Sequence, residues 1–382
     1  MQLLRPPPDP VLTWTSSPSY TFEGSPPAPA WPVEGQAAVE VEGVGTVGAH
    51  GTQTPAPVAS MAKVMTAYAV LRDHPLEHDQ SGPTITVDAQ AAKDSGNKDE
   101  SRVPLTQGQR YSEREMLEML MLPSADNVAR LLARWHSGTS ESFVGTMNSI
   151  AAELGMTDTT YTDPSGLDAT SKSTATDQLK LARAAMKDST FRSVVATPDI
   201  VIHGVGRIHN SNTLLMNPGV VGIKTGSTTP AGGNLMWAAE KSVGGKAPLI
   251  LGVVMGQQSR TSLTASLQKA LDASNRLMTS VQNSLVSTAV VKKGDIIGHV
   301  DNKLGGKIPL VAAADLTVAG WPGMTCRLTL TASGKGVPHQ MPAGTEVGTL
   351  SAGSGRARST VPVVLQSEMS EPSVGSKLMH LG

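Results

Sequence analysis

The hydrophobic pattern of the sequence changes character near residue 286. Before this point, apolar residues recur at helical spacing in several stretches, and short apolar runs typical of strands lie between them. Beyond it helical periodicity disappears, and short β-type segments are separated by turns that contain Gly, Asn or Pro. The 382 residues are enough for two or three domains. We therefore predict a mixed α/β domain over residues 35–285 and a small β-rich domain over residues 286–382.

The first 34 residues are rich in proline. Nine of the 26 prolines fall within the first 32 residues. Proline lacks the backbone N–H that helices and sheets use, so this composition predicts an extended linker over residues 1–34.

Within residues 35–285 the pattern predicts a regular series of elements. The spacing of apolar and polar residues favours a strand hairpin over 36–50, a helix from Ser60, two helices over 112–136 broken at Pro123, a helix over 174–188, strands at 220–224, 234–239 and 248–255, and an amphipathic helix over 262–284.

Composition excludes several classes of protein. The net charge of −1 argues against a dedicated nucleic-acid binder, which would usually be basic. The single cysteine, Cys326, excludes an intramolecular disulfide framework and a cysteine-clustered metal site, and we expect it to be a buried small hydrophobe. No apolar run is long enough to cross a bilayer, so we expect membrane association only through a segment that is not in this chain.

The first candidate for chemistry is the pair Ser60 and Lys63. If a helix begins at or just before Ser60, residues three apart share a face, and the serine hydroxyl can meet the lysine amine. A serine hydroxyl becomes a good nucleophile only when a nearby base takes its proton. Ser-x-x-Lys also occurs at Ser95/Lys98 and at Ser266/Lys269. We expect Ser95 to lie in a loop, and Ser266 to lie within the amphipathic helix with Lys269 in water.

Two further short motifs follow in the chain. Ser124-Ala125-Asp126-Asn127 comes directly after Pro123, between two predicted helices. Lys224-Thr225-Gly226-Ser227 ends the predicted strand at 220–224. A glycine after a hydroxyl residue at a strand end allows a ligand to approach the backbone closely, and a substrate peptide could pair with that strand.

The order and context of the three motifs resemble those of the penicillin-recognising serine enzymes. Within that group the chain resembles the serine-type D-alanyl-D-alanine carboxypeptidases, the low-molecular-mass penicillin-binding proteins. The resemblance covers about residues 36–382 and includes the stretches PVASMAKVMTAYAVL, TTYTDPSGLD and HNSNTLLMNPGVVGIKTGST. It implies a transpeptidase fold of the β-lactamase type, with an antiparallel sheet flanked by helices, a helical cluster and a C-terminal all-β domain.

The resemblance also implies a mechanism for the motif residues. Ser60 would attack the carbonyl between two terminal D-alanines of a peptidoglycan stem peptide, and Lys63 would accept its proton. Ser124 would pass that proton towards the leaving amine, and Lys224 would maintain the electrostatic field around these groups. Thr225, with Gly226 beside it, would bind the substrate carboxylate, and the backbone N–H groups of Ser60 and Ser227 would stabilise the oxyanion.

The same resemblance sets expectations for partners and location. It implies no metal and no organic cofactor, β-lactam antibiotics as covalent inhibitors, and an extracytoplasmic place of action, because peptidoglycan lies outside the cytoplasm. We could not identify a basic residue that helps to bind the substrate carboxylate: Arg260 and Lys241 are both available in the sequence, and nothing singles out either.

One position departs from the family pattern. The family has asparagine at the third position of the second motif, and this chain has Asp126, followed by Asn127. An asparagine amide can donate to the substrate, whereas an ionised aspartate only accepts and would hold Lys63 as an ammonium. The sequence therefore predicts weaker or altered activity unless the loop presents Asn127 instead or Asp126 is protonated.

Three alternatives remain open from the sequence. An amine could intercept the acyl-enzyme, which would make the protein a transpeptidase or a peptide cyclase. A β-lactamase is disfavoured, because neither Glu141 nor Glu153 stands in the Glu-x-x-Leu-Asn context of a deacylating glutamate. A non-catalytic binding protein has Asp126 as its support, whereas the retained Ser60 and Lys63 argue against it.

Overall fold

The computed structural model describes residues 8–77, 80–303, 306–334 and 336–370. The first seven residues of the predicted linker and the last twelve of the predicted β-rich domain lie outside these described residues. The helices are α1 (Ala62–Asp73), α2 (Ala89–Asp94), α3 (Glu113–Met121), α4 (Asp126–Ser137), α5 (Ser140–Glu153), α6 (Ala175–Ala185), α7 (Ser189–Val195) and α8 (Leu263–Ser284).

Twenty strands accompany these helices in the described part of the chain. They are β1 (Val11–Trp14), β2 (Ser19–Thr21), β3 (Gln36–Val41), β4 (Gly45–His50), β5 (Ala56–Pro57), β6 (Thr84–Thr86), β7 (Arg110–Ser112), β8 (Lys172–Ser173), β9 (Asp199–Ile202), β10 (Gly206–His209), β11 (Val220–Thr228), β12 (Gly232–Glu240), β13 (Leu249–Gln257), β14 (Val286–Val291), β15 (Ile296–Asp301), β16 (Lys307–Ala312), β17 (Leu316–Gly320), β18 (Thr325–Ala332), β19 (Glu346–Ala352) and β20 (Ser359–Leu365).

A five-stranded antiparallel sheet organises the mixed α/β part. Its strand order is β11-β12-β13-β3-β4, so the predicted hairpin over 36–50 forms one edge and β11 forms the other. Alternate residues of a strand point to opposite faces, and β12 buries both. Leu235 and Trp237 pack towards α8, whereas Met236 packs among the other helices. The predicted fold class, an antiparallel sheet flanked by helices with a helical cluster, is confirmed.

The predicted helices all occur, and three more accompany them. The break at Pro123 separates α3 from α4, as the sequence indicates. The additional helices are α2, α5 and α7, of which α2 and α7 are short. Asp88, Thr139 and Asp188 cap them at their N-termini by accepting a backbone N–H.

The prediction of an extended linker over residues 1–34 is wrong for part of that segment. Strand β1 pairs with β15 and β2 pairs with β18, and these two strands occupy the two ends of a seven-stranded sheet in the C-terminal part. An edge strand needs partners on one side only, so it tolerates neighbouring prolines. Phe22 then enters the core of that sheet, where Cys326 is also buried as expected. Residues 11–22 are therefore part of the β-rich region and not a free linker.

In the part of the chain that the structure describes, no helix combines the length and the apolar character that a membrane span requires.

Candidate active site

Ser60 and Lys63 meet at the start of the buried helix α1. Ser60 lies in a short 3-10 turn over Ala59–Met61, and Lys63 follows on the first turn of α1. The Lys63 Nζ donates a hydrogen bond to Ser60 Oγ over 2.9 Å. Lys63 is 0% exposed, whereas Ser60 is half-buried at the surface of a cleft. The predicted pair therefore forms, with a buried amine behind an accessible hydroxyl.

Neighbouring backbone holds the turn that carries Ser60. Ala59 has a positive φ of 48°, an uncommon conformation for a residue with a Cβ. Gly166, at φ 77°, packs against it so closely that a Cβ there would lie 1.8 Å from the Ala59 carbonyl oxygen. From the sheet, the Asn234 side chain donates to the carbonyls of Pro57 and Val58. The motif analysis did not identify Gly166 or Asn234, because both act through backbone contacts.

The second motif brings a carboxylate to Lys63. Asp126 is the first residue of α4, and its Oδ1 lies 2.5 Å from Lys63 Nζ, with both side chains buried. Lys63 also donates to the Ser165 carbonyl over 2.9 Å. With Ser60 Oγ, these contacts occupy the three donors of an ammonium group. Asp126 is therefore a direct ionic partner of Lys63 in the buried part of the site.

Ser124 sits in the link between α3 and α4. Its φ of 66° is left-handed, and its buried Oγ is one of the side-chain oxygens for which no hydrogen-bond partner is found among the described residues. A buried hydroxyl without a partner carries a free-energy cost unless a ligand or water satisfies it. Ser124 is thus a polar group that a substrate or a transferred proton could engage.

Asn127 does not replace the missing asparagine. Its Nδ2 donates to Ser95 Oγ and to the Val103 carbonyl, and its Oδ1 accepts from the Val103 backbone N–H. Asn127 is fully buried and anchors the loop over 95–103. The hypothesis that the loop presents Asn127 to the substrate is therefore wrong. Ser95 lies in the turn that directly follows α2, as the C-cap residue of that helix, which agrees with the expectation that it is a loop residue.

Lys224 is a second buried amine at the site. It lies on β11 and is 1% exposed. Burial, aided by the charge of Lys63, lowers the pKa of Lys224 well below its ordinary value, and the charge of Asp126 acts in the opposite direction. Lys224 therefore gains a proton less readily than a solvated lysine, unless an anion approaches it.

The rest of the third motif packs against the nucleophile turn. A Cβ on Gly226 would lie 3.1 Å from the backbone nitrogen of Ser60, so the glycine allows β11 to pass beside that turn. Thr225 is buried, and Ser227 lines the cleft. The backbone of Ser227 is thereby brought close to that of Ser60.

A cleft of about 520 Å³ lies in front of Ser60. One wall is the end of β11 with its following turn, and the other is the loop over 98–101. Its lining residues are Ser60, Lys98, Asp99, Glu100, Ser101, Asp126, Leu167, Ser227, Thr228, Thr229, Pro230 and Leu263. The loop wall was not predicted, since no short motif marks it.

The loop wall is held from α4. Arg130 donates through Nε to Asp94 over 2.9 Å and through Nη1 to Glu100 over 3.0 Å. The Asp126 backbone N–H donates to the Ser101 carbonyl over 2.7 Å. The helix that delivers Asp126 to Lys63 therefore also fixes the opposite wall of the cleft.

The other residues considered from the sequence lie away from the cleft lining. Arg260 and Lys241 are exposed and do not line it, and Lys98 is the lining cation among the described residues. Glu153 pairs with Arg72 on the protein surface, and Glu141 is exposed on α5. In the described part of the chain no group of three or more His, Cys, Asp or Glu could hold a metal ion.

Comparisons with known proteins agree with this architecture. A profile of the D-alanyl-D-alanine carboxypeptidase family matches residues 35–259. A curated D-alanyl-D-alanine carboxypeptidase of Streptomyces sp. strain K15 is 32% identical over 231 residues, which are 56% of this chain and 77% of that protein.

Comparisons with solved structures also agree with this architecture. The crystal structure of the Streptomyces K15 DD-transpeptidase is 29% identical, with a TM-score of 0.55 over 67% of this chain and 100% of the other. A peptidoglycan synthesis regulatory factor (PBP3) of Streptococcus pneumoniae, 20% identical, covers 89% of this chain and 99% of its own with a TM-score of 0.64. The latter likeness concerns the fold and extends into the C-terminal β-rich part.

Proposed function

The chain belongs to the D-alanyl-D-alanine carboxypeptidase family, and from this membership we propose that Ser60 forms an acyl-enzyme with D-alanyl stem peptides of peptidoglycan. The protein is a serine peptidase of the cell wall, and its substrate lies outside the cytoplasm. The observation that carries the proposal is the 2.9 Å contact between the buried Lys63 Nζ and the accessible Ser60 Oγ. A merely structural serine needs no buried amine at this position.

Acylation begins with attack of Ser60 Oγ on the carbonyl of the penultimate D-alanine. Lys63 Nζ donates to Ser60 Oγ, to Asp126 and to the Ser165 carbonyl, so it can take the Ser60 proton only as it gives one up. Asp126, 2.5 Å from Nζ, is the acceptor placed for that proton. The pair Lys63–Asp126 thus acts as one acid–base unit, in which the lysine remains an ammonium and the aspartate is neutralised.

The remaining residues stabilise the tetrahedral intermediate and the leaving group. The backbone N–H groups of Ser60 and Ser227 face the developing oxyanion. Ser124 Oγ, for which the described residues offer no hydrogen-bond partner, passes a proton to the leaving amine, and Lys224 and Thr225 act on the substrate terminus. Water then hydrolyses the ester of Ser60 and completes the release of D-alanine. None of these steps calls for a metal or an organic cofactor.

The direct test is covalent labelling with benzylpenicillin, a β-lactam that acylates serine enzymes of this kind. Intact-protein mass should show one drug adduct on the wild type and none on Ser60→Ala. A D-alanine release assay on a peptide ending in D-Ala-D-Ala should then show turnover that requires Ser60. Intact drug with no adduct and no D-alanine release would overturn the proposal in favour of a binding protein that has lost catalysis.

A transpeptidase is the second candidate, and one observation favours it. The Streptomyces K15 structure that aligns over 67% of this chain is described as a DD-transpeptidase. Addition of an amine acceptor such as glycylglycine separates the two reactions. A transpeptidase would form the acyl-glycylglycine product in proportion to acceptor concentration, whereas a carboxypeptidase would continue to release the hydrolysed peptide.

A further inference from the structure

The loop wall of the cleft, residues 98–101, is tied to α4 by a forked ion pair. The guanidinium of Arg130 donates to both carboxylate oxygens of Glu100, over 3.0 Å from Nη1 and 2.5 Å from Nη2. The Glu100 side chain is 2% exposed and that of Arg130 is 25% exposed. Because two parallel hydrogen bonds fix both the distance and the orientation of the two planar groups, this pair holds Glu100 in one place.

Arg130 also joins the two ends of the segment that forms the wall. Its Nε donates to Asp94, the last residue of α2, while its Nη atoms donate to Glu100. Among the described residues, the other hydrogen bonds of residues 96–100 run only to residues 93–97, within the same segment. The fork from Arg130 is therefore the polar contact that fixes residues 96–100 from outside.

The position of the loop wall sets the width of the cleft. Ser60 lines the cleft between this wall and the end of β11, so a substrate carbonyl that reaches Ser60 Oγ lies between the two. Helix α4 carries Asp126 at its first residue and Arg130 one turn later. One rigid helix therefore sets the wall relative to the Lys63–Asp126 pair.

We propose that Arg130 is a positioning residue for the peptide substrate, because it holds the loop wall at the distance from β11 that binding of the stem peptide requires. The inference rests on the proposed function, since the ligand concerned is the substrate of Ser60. It assigns Arg130 to substrate binding and not to the acylation step, because the hydrogen bonds of Arg130 go to Asp94 and Glu100 and not to the reacting groups.

The test measures kcat and KM on diacetyl-L-Lys-D-Ala-D-Ala for the wild type, Arg130→Met and the control Arg134→Met. Arg134 lies one turn further along α4, and its Nε and Nη2 donate to Asp88 over 2.7 Å and 2.8 Å. Asp88 caps the other end of α2 and does not line the cleft. Arg134→Met therefore removes a similar forked pair without releasing the loop wall.

Arg130→Met should raise KM about tenfold, because the wall would then occupy its binding position for only about a tenth of the time. Its kcat should fall less than about threefold, since a contact that serves substrate and transition state equally raises KM when it is lost and leaves kcat unchanged. Arg134→Met should change KM less than about twofold, because its ion pair is partly solvated and lies away from the cleft.

Two further variants separate the position of the wall from its charge. Arg130→Met leaves the Glu100 carboxylate without its partner, and this charge alone could repel the carboxylate of the substrate. The double variant Arg130→Met with Glu100→Gln removes that charge and should keep the tenfold rise in KM. Arg130→Lys retains the positive charge but not the fork, so its KM should lie between those of Arg130→Met and the wild type.

Hydrogen–deuterium exchange of the amides of residues 96–101 measures the wall without any substrate. Exchange should be fastest in Arg130→Met and in the double variant, slower in Arg130→Lys, and equal to the wild type in Arg134→Met. A general loss of stability would instead raise exchange in α6 and the central sheet as well.

The proposal is overturned if Arg130→Met and Arg134→Met raise KM equally, or if exchange over residues 96–101 rises while KM stays at the wild-type value. A double variant with wild-type KM would also overturn it, because the charge of Glu100 would then be the cause. If Arg130→Met does not fold, the double variant and Arg130→Lys decide the question by the same two measurements. A wild type that releases no D-alanine from the peptide would instead overturn the proposed function, and with it the inference.

Discussion

Asp126 and Glu113 are two buried carboxylates at the same position of consecutive helices. Glu113 is the first residue of α3 and Asp126 is the first residue of α4. Their exposed fractions are 0% and 3%. Asp126 contacts the ammonium of Lys63 at 2.5 Å, whereas neither carboxylate oxygen of Glu113 has a hydrogen-bond partner among the described residues.

The difference shows how far a helix N-terminus alone can stabilise the ionised form of a buried carboxyl group. Both carboxyl groups lie where the helix dipole favours a negative charge. Yet burial, reinforced by the charge of Asp188, raises the pKa of Glu113 to about 7. The dipole therefore does not offset desolvation at Glu113, and the partner lysine is what distinguishes Asp126. Three substitutions test this comparison.

The largest effect is expected when Asp126 loses its partner. Lys63→Met keeps much of the side-chain volume but leaves Asp126 buried and unpaired. Breaking a buried ion pair from one side typically costs about 3–5 kcal/mol in the free energy of unfolding. Urea denaturation at pH 7 should show this loss, and penicillin labelling should disappear because Ser60 has lost its base.

A double variant checks the cause. Lys63→Met with Asp126→Asn removes both charges, and its free energy of unfolding should return to within about 1 kcal/mol of the wild type. If the single variant Lys63→Met were already that stable, Asp126 would not depend on Lys63, and the contrast with Glu113 would fail.

An intermediate effect is expected at Glu113 and depends on pH. Since the pKa of Glu113 is raised to about 7 in the folded protein, the folded state keeps a proton that the unfolded state loses above about 4.5. Wild-type stability should therefore fall between pH 4.5 and 7, by about 3 kcal/mol in total, and stay low above pH 7.

Glu113→Gln should remove that fall. The variant should be more stable than the wild type at pH 8 and should differ little at pH 4.5, where the glutamate is protonated in the folded state and about half protonated in the unfolded state. Denaturant unfolding at the two pH values measures the difference. Equal stability of the two proteins at both values would mean that Glu113 has a partner in solution.

Sequence alone predicts the larger elements and the three motifs. Helical and alternating periodicities locate α1, α3, α4, α6, α8 and the strands of the central sheet, because those elements bury one or two regular faces. Ser60, Lys63 and Lys224 also follow from sequence, since each sits in a short motif whose local structure is regular.

The contacts that define the charge of the site could not be predicted in the same way. Asn127 turns to the 95–103 loop and not to the substrate, and this depends on distant backbone groups at Val103. The Ser165 carbonyl that accepts from Lys63 is a backbone atom, which side-chain motifs cannot reveal. Glu113 looks like a solvated residue in the first turn of a helix, and only packing shows that it is buried.

The smallest effect is expected at Asp188, which acts on Glu113 through its negative charge and not by burying it. Asp188 caps α7 by accepting the Phe191 N–H over 2.7 Å, and asparagine serves as an N-cap equally well. Asp188→Asn should therefore keep the helix start and remove only a negative charge near Glu113. Because burial is the larger cause of the raised pKa of Glu113, that pKa should move towards its ordinary value only partly.

The upper limit of the pH range over which the free energy of unfolding falls should move down by less than about one pH unit. At pH 8 this change should alter the free energy of unfolding by at most about 1 kcal/mol. The matched control is the same substitution made in Glu113→Gln, where no such move can occur. A downward move that persists in the Gln background would assign the effect to another group. A move of two pH units or more would mean that the charge of Asp188, and not burial, is the main cause of the raised pKa of Glu113. Glu113 and Asp126 would then differ in the sign of the neighbouring charge.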